Sequence, residues 1–396
     1  MKIKLTKDIL TAGLKMVMPA VNKHTDGAQS CILMHAEASS PVAAGGPVLR
    51  LTASNGVGLS ILAYITPDSE LADPELTVDA DGDCLINADW LLNSVQKLDG
   101  TFVSIKTIDG ELMAIMGDNA IFRINGDYPG SFPKIDKDSG MRQILSGVTG
   151  EELSGLFRKV LHAVGQKNCD RVALKGVHMQ PDGNGGLQLI GTDSYHLALA
   201  EADSRIAGNW SCTEPITVPA STVSVMMNMP NAEEPIEMYT DGKRLKVAGK
   251  CYILVSSLID AEYPDVSRLI PANLPIVARF NREEMIAALS RSVLLKDDGI
   301  ALSTLIMDST GAIMISKAPE IGASRQRIDI EEFTGDPLTI TFNTDYALKS
   351  LKALTGKSVT FNMSGSMNPF LILGDEGMKN IQLLLPVRVH ETNLMF

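Results

Sequence analysis

Asp193, Ser194 and His196 bring the three side chains of an acyl-transfer triad into four consecutive positions, within Gly191-Thr192-Asp193-Ser194-Tyr195-His196-Leu197-Ala198-Leu199. Such chemistry needs the hydroxyl and imidazole within hydrogen-bond reach and a carboxylate behind the imidazole. Read as a strand, the segment points Ser194 and His196 to one face and Asp193 to the other. It also lacks the Gly-x-Ser-x-Gly elbow that exposes a nucleophilic serine. The stretch ending in Gly249-Lys250-Cys251 has neither the spacing of a phosphate-cradling loop nor its Ser or Thr. Asn55-Gly56-Val57-Gly58 is too short for a dinucleotide fingerprint and reads as a hairpin turn. Six histidines without a His-Glu-x-x-His pattern, and five scattered cysteines (Cys31, Cys84, Cys169, Cys212, Cys251), predict neither a metal site nor a disulfide framework. Core packing accounts for Met226, Met227 and Met229. No cofactor and no enzyme activity are expected.

Whatever these residues do, they must be held by a chain of 396 residues, too long for one compact core and suited to two to four domains. Hydrophobic residues at 45% and charged residues at 21% fit an ordinary globular protein. No apolar run approaches bilayer thickness, and Met1-Lys2-Ile3-Lys4-Leu5-Thr6 alternates like a strand rather than a signal peptide. A cytoplasmic location without a membrane partner is the expectation. The net charge of −12 argues against a protein that grips nucleic acid through a broad basic face, so any such role rests on locally placed bases.

Internal repetition sets the architecture. Three segments open alike: Leu5-Thr6-Lys7-Asp8-Ile9-Leu10 through Val17, Val148-Thr149-Gly150-Glu151-Glu152-Leu153 through Val164, and Phe280-Asn281-Arg282-Glu283-Glu284-Met285 through Leu295. Each offers a Thr or Asn able to cap a helix, then acids, then apolar residues at helical spacing. A second helix signal recurs at Ile86-Asn87-Ala88-Asp89-Trp90-Leu91, Val218-Pro219-Ala220-Ser221-Thr222-Val223 and Phe342-Asn343-Thr344-Asp345-Tyr346-Ala347. Strand pairs follow, turning at Ile108-Asp109-Gly110-Glu111, Thr240-Asp241-Gly242-Lys243 and Ser364-Gly365-Ser366-Met367. Between the helices of each copy lies a further strand-turn-strand, from Leu49 to Ile61, Leu187 to Leu199 and Ala312 to Ile328. The pattern predicts an α+β protein of three repeated domains, each an antiparallel sheet with helices on one face. Pro-rich exits at Asp127-Tyr128-Pro129 to Pro133 and Glu262-Tyr263-Pro264 to Pro271 mark boundaries, giving 1–138, 139–273 and 274–396.

Leu174-Lys175-Gly176-Val177 and the Gly191 to Leu199 string resemble the middle domain of the beta sliding clamp of bacterial DNA polymerase III. So do Tyr263-Pro264-Asp265-Val266-Ser267-Arg268-Leu269-Ile270-Pro271 and Leu383-Leu384-Leu385-Pro386-Val387-Arg388, in an order that holds over nearly the whole chain. The resemblance implies a head-to-tail homodimer closing into a ring, with sheets outside and helices inside. It implies a non-catalytic processivity factor that encircles duplex DNA without sequence specificity and tethers the replicative polymerase, the clamp loader and other peptide-motif proteins. The alternative is a clamp-fold scaffold that binds peptides but does not encircle DNA. By the same resemblance, Phe122 and Ile124 of one subunit meet Leu294 and Leu295 of the other, with plain core packing as the competing account.

Bases fall late in the first helix of each repeat, at Lys15, at Arg158 and Lys159, and at Arg291, and the third copy's second helix adds Lys349 and Lys352. Lys23 and His24 lie in the loop where the resemblance implies a DNA-contacting base, so Lys23, His24, Arg158, Lys159, Arg291, Lys349 and Lys352 are the candidate DNA contacts. Complementing the helix dipole explains the late placement equally well. The implied peptide pocket consists of Leu174, Thr192, Ser194, Tyr195, His196, Leu197, Pro264, Arg268, Leu269, Asn343, Tyr346, Pro369, Leu383 and Leu385. Apolar walls would take a Leu and a Phe anchor while polar groups orient the peptide backbone. Two positions depart from the family pattern. Many relatives have Gly where Ser194 stands and Arg where His196 stands, which exchanges a permanently charged fork for an imidazole. Glu391-Thr392-Asn393-Leu394-Met395-Phe396 resembles the Gln-x-x-Leu-x-Phe peptide of clamp partners, with Glu for Gln. The tail is thus a candidate pocket occupant, with a frayed terminus as the alternative.

Overall fold

The structure is a computed structural model that describes residues 1–388 other than 57, 69, 70, 109, 110, 167, 184 and 231. The turns at Asp109-Gly110 and Val57 and the Glu391 to Phe396 tail therefore lie outside the described residues.

Strand runs directly into helix in each repeat, twice over. Lys2–Thr6 leads into α1 (Lys7–Val17) and Gly82–Asn87 into α2 (Ala88–Lys97). Arg142–Thr149 leads into α3 (Gly150–Val160), and after a short α4 (Ser204–Gly208), Ile216–Pro219 leads into α5 (Ala220–Met226). Ile276–Asn281 leads into α6 (Arg282–Ser292) and Leu338–Asn343 into α7 (Thr344–Ala353). Asn87, Asn281 and Asn343 cap their helices by accepting from backbone amides one turn in, which satisfies donors the helix cannot pair itself. Thr6 does not cap α1. Its amide and hydroxyl both donate to Asp73, at 2.6 and 2.9 Å, a partner far away in sequence.

The described residues form two compact units. The first comprises Met1–Glu151, Asn209–Ser211 and Ser224–Leu258. It holds a five-stranded sheet ordered Thr77–Ala80, Lys2–Thr6, Phe102–Thr107, Leu112–Met116, Ile121–Asn125. Its eight-stranded sheet runs Arg142–Thr149, Pro235–Thr240, Arg244–Ala248, Tyr252–Ser257, Leu59–Ile65, Val48–Ser54, Cys31–Glu37, Gly82–Asn87. Leu254 pairs with Ile61, so one hydrogen-bonded sheet contains strands from the first and second sequence repeats. Leu10, Leu14 and Val17 of α1 are fully buried, and Gly13 lets the helix lie close on the sheet. A methyl group there would sit 3.0 Å from the Leu51 side chain and 3.1 Å from Ile65.

The second unit comprises Glu152–Gly208, Cys212–Val223 and the chain from Ile259 onward. Its nine-stranded sheet runs Ile216–Pro219, Gly176–Pro181, Leu187–Thr192, His196–Glu201, Asn380–Leu384, Phe370–Leu373, Ser358–Met363, Ile276–Asn281, Glu332–Thr334. Leu197 pairs with Leu383, which again joins strands of successive repeats in one sheet. The last sheet is built from Lys296–Asp297, Ile300–Asp308, Gly311–Ala318, Gly322–Ile328 and Leu338–Asn343. α6 and α7 pack on each other and on this sheet around Phe280, Phe342, Phe361 and Phe370. Those rings lie 5.4 to 6.4 Å apart, and burying each contributes roughly 1.5–3 kcal/mol. No helix among the described residues is long and apolar enough to cross a membrane.

Candidate functional site

The segment carrying Asp193, Ser194 and His196 is a strand only at its ends. Leu187–Thr192 and His196–Glu201 are paired strands, and 193–195 is the turn between them. The alternation that would place Asp193 on the far face therefore does not apply. Asp193 Oδ1 accepts from the amides of Tyr195 and His196 at 2.9 and 3.0 Å and lies 2.9 Å from His196 Nδ1. Thr192 closes the turn, its hydroxyl donating to the His196 carbonyl at 2.7 Å and accepting the Ser194 amide at 3.2 Å. Ser194 takes φ +80°, a conformation that costs a residue with a Cβ roughly 1–2 kcal/mol.

No triad results. The second ring nitrogen of His196 lies 3.3 Å from the His162 carbonyl, so both nitrogens are engaged away from Ser194. Burial works to raise the Asp193 carboxyl, yet the hydrogen bond and charge of His196 and the two backbone amides outweigh it and bring it down to about 2. The turn is a rigid support.

Its effect is to push Tyr195 outward, 65% exposed, while His196 stays 3% exposed beneath. Tyr346 covers His196, with ring centroids 4.0 Å apart and planes 15° from parallel. Asn343 fixes Tyr346 by capping α7 through the Tyr346 amide, at 3.2 Å. Leu385 donates its amide to the Tyr195 carbonyl at 3.2 Å, and Val387 donates to the Thr341 carbonyl at 2.7 Å, which pins the chain beside the turn. Leu197 and Leu383 are buried in a cluster with Ile190, Val266 and Leu371. Val266 anchors the short helical turn Ser267–Leu269, which presents Leu269, 53% exposed, and the exposed Arg268. Exposed Tyr195, Leu269 and Leu385 thus stand over a firm apolar base, an arrangement suited to receiving apolar side chains.

Leu174 and Pro264 line an adjoining cavity of about 370 Å³ with Arg171, Val172, Tyr263 and Asp265. Pro369 is half-buried beside the strand Phe370–Leu373. Sequence reasoning missed Arg171, Val172, His162 and Gln382. His162 Nε2 lies 3.0 Å from Gln382 Oε1 although 220 positions separate them, so no local signal links the two. Gly191 seats the end of α3 on the sheet, since a methyl group there would meet the Val160 carbonyl.

The other expected site residues are dispersed. Lys23 pairs with Asp89 at 2.7 Å beside exposed His24. Lys159 is held by Glu376 at 2.7 Å with both side chains largely covered, and Arg291 donates to Gln326 at 2.6 Å. Arg158, Lys349 and Lys352 are exposed. Phe122 and Ile124 are half-buried on the edge strand Ile121–Asn125, and Leu294 is 75% exposed just beyond α6, with Leu295 half-buried. Neither pair is ordinary core. Among the described residues, no group of three or more His, Cys, Asp or Glu could hold a metal ion.

Two family models match in succession: "DNA polymerase III beta subunit, central domain" over residues 147–265, and "DNA polymerase III beta subunit, C-terminal domain" over residues 267–388. The chain belongs to the DNA polymerase III beta subunit, or beta sliding clamp, family. The beta sliding clamp of Bacillus subtilis is 26% identical over 407 residues, covering 98% of this chain and 100% of that relative. That of Streptococcus pneumoniae is 24% identical over 345 residues, covering 86% and 89%. The crystal structure of the DNA polymerase sliding clamp from Bacillus subtilis superposes with a TM-score of 0.86 at 24% identity, covering 98% of this chain and 100% of that one. The beta subunit from Thermotoga maritima gives 0.80 at 18%, with the same coverage. At such identities the structures speak for the fold, which is the three-domain α+β fold of sliding clamps.

Proposed function

We propose that this chain is a sliding clamp, a non-catalytic processivity factor of DNA polymerase III that encircles duplex DNA and tethers the polymerase and other partners. The observation that carries this reading is the run of two beta-subunit domains in order, on a chain spanning the full length of a relative named beta sliding clamp. The three domains would be 1–138, 139–273 and 274–396, acting in the cytoplasm. Two copies would close head to tail, the edge strand bearing Phe122 and Ile124 of one meeting Leu294 and Leu295 of the other. A closed ring of this kind pairs sheet edges that otherwise invite aggregation.

Topological linkage agrees with the acidic balance. A protein that slides gains nothing from many phosphate contacts, because each strengthens and localises binding. Lys23, His24, Arg158, Arg291, Lys349 and Lys352 would supply a few salt-sensitive contacts, with Lys159 contributing least because Glu376 already holds it. The surface of Tyr195, Leu269 and Leu385 would receive the apolar anchors of partner peptides, with Arg268 and Thr192 at its rim and Leu174, Ser194, His196, Leu197, Pro264, Asn343, Tyr346, Pro369 and Leu383 forming or supporting its walls. Light scattering tests the ring. The expected mass is twice that of the chain, and a stable monomer at micromolar concentration sinks the reading.

A further inference from the structure

We propose that His196 is held as an imidazolium and serves as a positioning cation for the peptide pocket, so that the pocket loosens when this ring loses a proton. The inference rests on reading the Tyr195 surface as a peptide site.

The geometry is one of acceptors. Nδ1 faces the Asp193 carboxylate at 2.9 Å and Nε2 faces the His162 carbonyl at 3.3 Å. Neither partner can donate, so each ring nitrogen must carry a hydrogen, and only the cation carries both. Burial leaves little room for water to substitute.

The neighbouring imidazole has the opposite assignment. Gln382 donates its amide nitrogen to the Lys159 carbonyl at 3.1 Å and to Asn380 Oδ1 at 2.8 Å, so its oxygen is what faces His162. His162 therefore carries its proton on Nε2, while its buried Nδ1 makes no well-formed hydrogen bond among the described residues. Burial and the nearby His196 charge push His162 down to about 4, leaving one cation between two rings 5.8 Å apart. Burial and the Asp193 carboxylate push the Tyr346 phenol up, so it faces Asp193 as a neutral donor. The titratable and charged groups around the pair are Asp193 and Tyr195 in the turn, and Lys159, paired with Glu376, at the end of α3. From α7 come Tyr346, Asp345 and Lys349. Imidazole is the side-chain type among them that changes charge near neutrality.

A second turn in the chain supports a cation at this place. Thr240-Asp241-Gly242-Lys243-Arg244 repeats the backbone bonding of Thr192 to His196. Asp241 Oδ1 accepts the amides of Lys243 and Arg244 at 2.9 and 2.7 Å, and Thr240 donates to the Arg244 carbonyl at 2.7 Å. Arg244 then donates to Asp241 and to the carbonyls of Asp136 and Ser139. A carboxylate and backbone carbonyls thus meet a permanent cation in one turn and a titratable one in the other.

A deprotonated His196 leaves either Asp193 or the His162 carbonyl against a bare nitrogen, which releases the turn that presents Tyr195 and holds Leu385. The test is fluorescence anisotropy of an end-labelled, N-blocked peptide, Gln-Ala-Ser-Leu-Ala-Phe, on the full chain from roughly pH 6 to 9. The wild type is expected to lose about five- to twentyfold in affinity across that range, whereas His196→Arg stays flat. Superimposable profiles overturn the proposal. Imidazole 15N spectra need no variant, and a singly protonated His196 at neutral pH overturns it equally. A peptide that binds at no pH, beside a doubly protonated ring, sinks the peptide reading and the positioning role together, and is told apart from failure of the protonation state.

Discussion

The turns at Thr240–Arg244 and Thr192–His196 use the same local bonding for different ends. Both place Thr and Asp so that their oxygens close the loop, and both need a positive φ at the third residue, where Gly242 takes +85° and Ser194 takes +80°. The first turn ends in a partly exposed Arg244 that ties down the 136–139 loop, and its tip carries exposed Lys243. The second ends in a buried imidazole under Tyr346, and its tip carries exposed Tyr195. One is a surface staple and the other the base of an apolar site. A small change of side chains on a fixed turn separates a surface staple from the support of an exposed apolar patch.

Carboxylate removal should separate the turns most. Asp193→Ala leaves the amides of Tyr195 and His196 and the covered His196 ring without their shared acceptor, and is expected to lower stability by about 2–4 kcal/mol in urea unfolding. Asp241→Ala, whose partner reaches water, should cost about 1–2 kcal/mol. Equal losses would mean the two turns are electrostatically alike.

Acid titration gives the next largest contrast. The unfolded His162 ring takes up a proton below about 6.5 but the folded ring only near 4, so between these values the unfolded state binds more protons. This contribution is complete above pH 6.5 and lost as pH falls to about 4, amounting to about 3 kcal/mol at most. Stability curves of His162→Gln should lack that slope, and an unchanged slope would place its origin elsewhere.

Surface residues come third. Tyr195→Ala should weaken the peptide probe about tenfold with little change in melting temperature, while Lys243→Ala at the matching position leaves affinity unchanged. The smallest effect concerns the backbone. Ser194→Gly relieves a left-handed residue and should stabilise by about 0.5–1 kcal/mol, whereas Gly242→Ser should destabilise by about 1 kcal/mol.

The repeat was legible in sequence because caps and periodicity are local. Asn87, Asn281 and Asn343 cap the helices their spacing predicts, and the recurring strand-turn-strand segments pair as expected. Thr6 misled because a long-range acid, Asp73, outcompeted its own helix for the hydroxyl. Strand alternation failed at Asp193 because a two-residue period holds only inside a strand, and the Asp side chain itself made the turn. The apolar part of the candidate site could be read from resemblance. Its support could not, since His162, Gln382 and Lys159 meet only once distant strands pair.

Retention on DNA tests the central claim most directly. After loading by the cognate clamp loader onto nicked circular DNA, the chain should stay bound through gel filtration at salt that dissolves electrostatic contacts, and should leave when the circle is cut. Loss from the intact circle, or persistence on the linear form, would contradict a topological ring.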